Sequence, residues 1–184
     1  MDAMELLSTR ASNGKLTDPA PDDATLRRIL EAALRAPDHA ALRPWRVLLV
    51  RGEARARLGD VFAEIEGGDE ESAERARRKP LRAPLLIVVA ATPRPHPKAP
   101  EIEQILSAGA VAHGILLGLH AHGYAGMWRT GGPAYHPRTK EALGLRPEDH
   151  IVAFIYAGTP AVPPPEVKRP SFDEHVSEWL GAPG

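Results

Sequence analysis

Between Pro84 and Pro93 lies Leu85-Leu-Ile-Val-Val-Ala-Ala91, an unbroken apolar run whose length suits a strand rather than a helix. No other stretch limits the fold as strongly. A strand without a polar face has to be buried on both sides, so helices must cover a sheet above and below it. Two further runs supply neighbours: Arg46-Val-Leu-Leu-Val-Arg51, read as a short buried strand, and His150-Ile-Val-Ala-Phe-Ile-Tyr-Ala-Gly158. Strands separated by helices give an α+β or α/β layer with a mixed sheet.

The helices follow from residue spacing. Leu26, Ile29, Leu30, Ala33 and Leu34 recur at helical intervals behind Asp22 or Asp23, either of which can cap the first turn. Asp2 caps a shorter helix over 2–8, and Ala56, Leu58, Val61, Phe62 and Ile65 mark another over 53–65. Gly67-Gly68 ends that one, and the acidic then basic segment Asp69 to Lys79 reads as a solvated helix or a lid within 67–100. Four prolines between Thr92 and Pro100 stiffen a loop able to move as a body.

From Glu101 to His122 runs the longest helical candidate, apolar nearly all round between Ile105 and Leu119. A membrane span is the rival reading, but His113 interrupts it and basic flanks are missing. Ala110, Gly114 and Gly118 would instead let a second helix approach closely, in the core or across a two-fold subunit contact. Gly123 to Gly132 reads as a helix exit, a short strand and a glycine-rich turn, and Pro137 to Leu143 as a small helix ended by Gly144. The whole is expected to be a single domain over 1–184, with about 160–184 an extended C-terminal tail.

Composition excludes several functions. With 43% hydrophobic residues and a formal net charge of −1, no field draws the chain to nucleic acid, and no membrane partner is expected. The absence of cysteine removes disulfides, thiolate-held iron–sulfur clusters and thiol nucleophiles. Acids near Met1, where a signal peptide would be basic, make the cytoplasm the expected location. No glycine fingerprint of a Rossmann site or a P-loop occurs, and no G-x-S-x-G nucleophile elbow. Of the eight histidines, His120 and His122 point to different sides of a helix, while His113 and His120 are about 10 Å apart in rise, so no metal site is expected.

Three cationic groups remain: Arg10 with Ser12 and Lys15; Arg35 with His39 and Arg43, where Pro37 stops a helix without a glycine exit; and Arg129 beside Trp128 and Thr130. Each has an ordinary explanation. The first is a solvated turn as readily as an anion site, and Arg35 suits the end of a helix dipole. Together they offer donors for a phosphate, an imidazole and an aromatic ring, a set better matched to a flavin mononucleotide than to a bare anion.

At this point the residues resemble the small flavin-dependent nitroreductases, in particular their short YdjA-like NAD(P)H nitroreductase subgroup. The resemblance runs almost end to end. It is carried by Met1-Asp-Ala and Glu5-Leu-Leu7, Arg10 and Ser12, Arg35-Ala-Pro-Asp-His39, Pro44-Trp45, Arg82-Ala-Pro84, Ser107-Ala-Gly109, Trp128-Arg-Thr-Gly131 and Tyr156 with Gly158-Thr-Pro160. It implies an α+β sandwich with a mainly antiparallel sheet and a domain-intertwined homodimer holding FMN in two interface sites. In each site Arg10, Ala11, Ser12 and Lys15 would hold the phosphate, Trp128, Arg129 and Thr130 would complete the same subunit's share, and Arg35 and His39 would come from the partner. The nicotinamide cofactor would lie along Gly118, Leu119, His120, Ala121, His122 and Gly123.

The activity implied is ping-pong transfer of a hydride from NAD(P)H through flavin to a small electron-poor acceptor such as a nitroaromatic or quinone, with no catalytic side chain demanded. Two departures stand out. Ala11 and Gly14 occupy places that are often basic in the family, which leaves Lys15 as the nearest cation. A non-catalytic flavin-binding or interaction protein on the same fold is therefore the alternative, with dehalogenation or flavin fragmentation as more distant chemistry.

Overall fold

The computed structural model describes residues 1–164, 166 and 169–181. In chain order the elements are α1 (Ala3–Thr9), β1 (Leu16–Thr17), α2 (Asp23–Ala33), β2 (Trp45–Arg51), α3 (Glu53–Glu66), α4 (Glu70–Arg77), β3 (Leu85–Ala91), α5 (Glu101–Ala121), β4 (Ala125–Arg129), α6 (Gly132–Tyr135), α7 (Pro137–Ala142) and β5 (His150–Pro160). Short 3-10 turns occupy His39–Ala41, Lys79–Arg82 and Phe172–Glu174. Asp2 and Asp22 cap α1 and α2, accepting from the backbone N–H of Glu5 and Thr25.

The strands form one sheet in the order β1-β5-β3-β2, with β4 also paired to β5. Each pairing is antiparallel, so the described residues give an α+β sandwich with no parallel pair. Strand β3 is wholly buried, and its alternation divides the core in two. Leu85, Ile87, Val89 and Ala91 pack with Leu26, Ile29, Val111 and Ile115 from α2 and α5. Leu86, Val88 and Ala90 pack on the other face with Leu58 and Phe62 of α3 and Phe154 of β5. Phe62 and Phe154 meet edge to face at 5.5 Å.

Three expectations change. β2 is an edge strand, paired only to β3, so of its residues only Val50 is buried and Leu49 stays 42% exposed. Leu34 falls outside the α2 core face and is exposed. Of the two readings of Asp69 to Lys79 the helix is the one seen, with α4 packed on α3 through the buried Ala76. Nor is the proline loop loose: the buried Gln104 amide accepts from Arg94 N–H at 3.0 Å and donates to the carbonyls of Arg94 and Ala99 at 2.8 and 2.9 Å.

The small residues of α5 serve the core. A Cβ at Gly114 would sit 3.1 Å from Ala33 Cα, and one at Gly118 would sit 2.7 Å from Ile29 Cγ2, so both glycines let α2 lie against α5. Of the two readings, core or subunit contact, Gly114 and Gly118 take the first, and the exposed large apolar residues of α5 are Ile102 and Leu106. By length and hydropathy α5 could cross a membrane, but its apolar side is packed on the sheet. Past β5, Phe172, Val176, Trp179 and Leu180 are exposed, while residues 165, 167, 168 and 182–184 of the expected tail lie outside the described residues.

The closest backbone approach among the helices sets a test of this packing. A Cβ at Gly59 would stand 2.2 Å from the Arg77 carbonyl oxygen, so Gly59→Ala forces α3 and α4 apart. Urea unfolding should show a loss of about 1–3 kcal/mol. An unchanged midpoint would mean that the two helices do not meet in this way.

Candidate functional site

The loop after α1 is organised by a residue that the sequence reading passed over. Asn13 is 3% exposed. Its backbone N–H donates to Gly126 of β4 at 3.2 Å, its amide donates to the Val162 carbonyl at 2.8 Å, and its side-chain oxygen accepts from Lys15 N–H at 2.9 Å. The local signal was the Asn-Gly pair, a turn former. This anchoring turns Arg10 and Ala11 onto a cavity of about 270 Å³ shared with His120, Gly123 and Tyr124. Ser12 is half-buried, and Lys15 is exposed with its carbonyl accepting from Ala161 N–H.

The cavity therefore joins part of the expected phosphate loop to part of the expected nicotinamide segment. His120 and Gly123 line it, and His120 Nε2 lies 3.0 Å from the Thr9 hydroxyl. Gly118 faces Ile29 and Leu119 is fully buried in the core. Ala121 and His122 are exposed, and the His122 ring is 2.9 Å from the Gly118 carbonyl.

Strand alternation separates the members of the third group. Trp128 points into the core beneath α5, with its indole N–H donating to the Val152 carbonyl at 3.1 Å. Arg129 faces the opposite side, 6.0 Å from the centre of the Tyr156 ring. Arg129 and Thr130 open onto a second cavity, of about 320 Å³, with Lys79, Arg82 and Tyr156. A Cβ at Gly14 would come within 3.3 Å of Arg129 Nη2, so the missing side chain at position 14 leaves that guanidinium beside the Arg10–Lys15 loop.

The second group sits elsewhere. After α2, Pro37 and three non-glycine residues with positive φ, Ala40, Ala41 and Arg43, turn the chain sharply. Asp38 holds the turn by accepting from Arg43 N–H. His39 Nδ1 is 2.6 Å from a carboxylate oxygen of Glu103, and the pair is about half exposed beside Leu106 and Ala110. Arg35 is exposed, with no side-chain partner among the described residues. Glu103 was missed because an acid in the first turn of a helix already suits the dipole. Glu103 and His120 are seventeen residues apart on α5, a rise of about 26 Å, so one subunit does not bring His39 to the Arg10 cavity.

The model of the nitroreductase family matches residues 7–159, which span the Arg10 loop, the His39 turn and β4. The chain belongs to the nitroreductase family. It is 40% identical over 163 residues to "Putative NAD(P)H nitroreductase YdjA" of Escherichia coli strain K12, covering 87% of this chain and 89% of that one. The solved nitroreductase-like family protein from Bacillus cereus superposes with a TM-score of 0.87 at 26% identity, covering 98% and 97% of the two chains. A family protein from Desulfovibrio desulfuricans, solved in complex with FMN, gives a TM-score of 0.74 at 24% identity over 98% and 99%. Among the described residues no three histidine or acidic side chains converge to hold a metal ion.

The inward-facing Trp128 predicts a structural effect. Trp128→Phe leaves the Val152 carbonyl without its donor and should lower the unfolding free energy by about 1–3 kcal/mol. Wild-type stability in the variant would show that the indole is not committed to the core.

Proposed function

We propose that this nitroreductase-family chain works as a single domain in a cytoplasmic, FMN-dependent homodimer that passes hydride equivalents from NADH or NADPH to a small electron-poor acceptor, a nitroaromatic or a quinone, in ping-pong fashion. The observation that carries the two-subunit reading is the separation of His39 from the Arg10 cavity within one subunit. A two-fold partner can supply what the subunit's own His39 cannot reach. Exposed Ile102 and Leu106 on α5, with Trp179 and Leu180 on the tail, give that partner apolar surface to cover.

The residues fit the cofactor. Arg10 and Arg129 have no carboxylate within salt-bridge distance among the described residues, so both guanidinium groups are available to an anionic oxygen. In this reading Ser12 adds a hydroxyl and Ala11 its backbone, and Lys15 a further charge. Thr130 completes the edge of the site, and Trp128 contributes through its backbone, since its ring is spent on the core. In this reading Arg35 and His39 of the partner subunit would help to hold the flavin, adding positive charge and a ring nitrogen to the site. FMN, when bound, supplies the two-electron chemistry, and the protein contributes position and charge. His120 and Gly123, on the same cavity as Arg10, are the members of the 118–123 segment placed to meet a nicotinamide. No side-chain acid is needed for hydride transfer.

Chain purified with excess FMN should retain flavin absorbance near about 450 nm and lose it anaerobically on addition of NADH or NADPH. Retained flavin that neither nucleotide bleaches would favour a non-catalytic binding protein, and no retained flavin would remove the reading altogether. Arg10→Ala should weaken FMN by about 1.5–3 kcal/mol, read by fluorescence titration. Unaltered affinity would take Arg10 out of the phosphate site.

A further inference from the structure

The sharp turn after α2 carries His39, and one acid of α5 decides how that ring is presented. The backbone of the turn is pinned separately. Arg43 N–H donates to the Asp38 carboxylate, and Ala40, Ala41 and Arg43 have positive φ, which residues other than glycine keep only where their surroundings impose it. The ring itself is held by Glu103, whose carboxylate oxygen is 2.6 Å from His39 Nδ1. A carboxylate can only accept, so Nδ1 carries the proton and donates. The neutral ring then has one free nitrogen, Nε2, with no hydrogen-bond partner among the described residues. Both groups are about half exposed, and a pair of that kind adds little to folding stability. Nor does the helix dipole depend on Glu103, since Glu101 stands in the same first turn, paired with His150 of β5 at 2.7 Å. What the Glu103 contact settles is where the His39 ring stands and which of its nitrogens is free.

We propose that Glu103 is a positioning residue of the flavin site: it fixes His39 as the Nδ1–H tautomer, so that Nε2 is the nitrogen offered to the partner subunit's flavin. This rests on the two-subunit FMN reading given above. Glu103 lies between Ile102 and Leu106, 59% and 64% exposed, which are part of the apolar surface that reading gives to a partner. Leu106 and Ala110 also line the hollow of about 290 Å³ that contains the pair. Covering the hollow removes water from around the pair, and a charge-assisted hydrogen bond strengthens as its surroundings lose water. The ring is therefore set most firmly in the assembly that uses its free nitrogen. A neutral Nε2 is an acceptor, and it matches the donors of an oxidised flavin, one ring N–H and the ribityl hydroxyls.

The test uses the full chain with isotopically labelled histidine nitrogens, the variants Glu103→Ala, Glu103→Gln and His39→Ala, and the double variant of Glu103→Ala with His39→Ala. Nitrogen NMR without FMN, in the pH range where the ring is neutral, reads the tautomer, and the His39 signal is the one that His39→Ala loses. Wild type should carry the proton on Nδ1. Glu103→Ala should lose that preference, and Glu103→Gln, whose amide oxygen still accepts, should largely keep it. In fluorescence titrations FMN should bind about threefold to tenfold more weakly to Glu103→Ala, with a smaller loss in Glu103→Gln, and no more weakly to the double variant than to His39→Ala alone. A wild-type ring protonated on Nε2 overturns the proposal. So does Glu103→Ala that binds FMN as wild type does, or a double variant in which the two losses add, the mark of a role independent of His39. Each of these outcomes leaves the FMN reading standing, whereas wild type that binds no FMN sinks that reading and this role with it.

Discussion

Burial of β3 on both faces is the constraint on which the rest of the structure depends. Its alternating side chains enter two separate cores, one roofed by α2 and α5 and the other by α3. A strand of this kind can be satisfied only by a three-layer arrangement, and that arrangement decides where the edges of the sheet fall. β5 is held along its length by β3 and along its second half by β4, so the end of β4 and the Arg10 loop stitched to it through Asn13 share one edge. The site begins where the layers stop.

The second governing feature is the distribution of charge. Many cations in this chain are matched: Arg146 with the buried Asp149 at 2.7 Å, Arg77 with Glu74 at 2.6 Å, Arg138 with Glu64 at 3.1 Å. Arg10, Arg82 and Arg129 are left without acidic partners among the described residues, and they border cavities. In a chain with a formal net charge of −1 this is local placement rather than general excess. Lys79 shares the second cavity but is held by Glu66, so at the Arg10 and Arg129 cavities the guanidinium groups are the cations left open to an anion.

Much of this was legible in the sequence for a physical reason. The β3 run, the α2 periodicity and the Asp22 cap are local signals, and each appears where spacing and capping place it. What was misread depended on neighbours that sequence does not display. β2 has the composition of a buried strand but lies at an edge. Gly114 and Gly118 suited a core or a subunit contact equally, and only the fold shows α2 filling that groove. In the candidate site, charge singles out Arg10 and Arg129, while adjacency in sequence hides that strand alternation sends the Trp128 and Arg129 side chains to opposite faces. Asn13 and Glu103 went unnoticed because an asparagine in a turn and an acid in a first helical turn both have ordinary reasons to be there.

The central claim is that each flavin site is built from two subunits, with the Arg10 loop from one and His39 from the other. Mixing tests it most directly. Arg10→Ala and His39→Ala chains, each impaired alone, are unfolded together, refolded with FMN, and assayed for NAD(P)H-dependent flavin reduction. Random pairing gives heterodimers with one intact site, so roughly a quarter of the wild-type activity per chain should return. A mixture no more active than the average of its two parents would contradict a site shared between subunits.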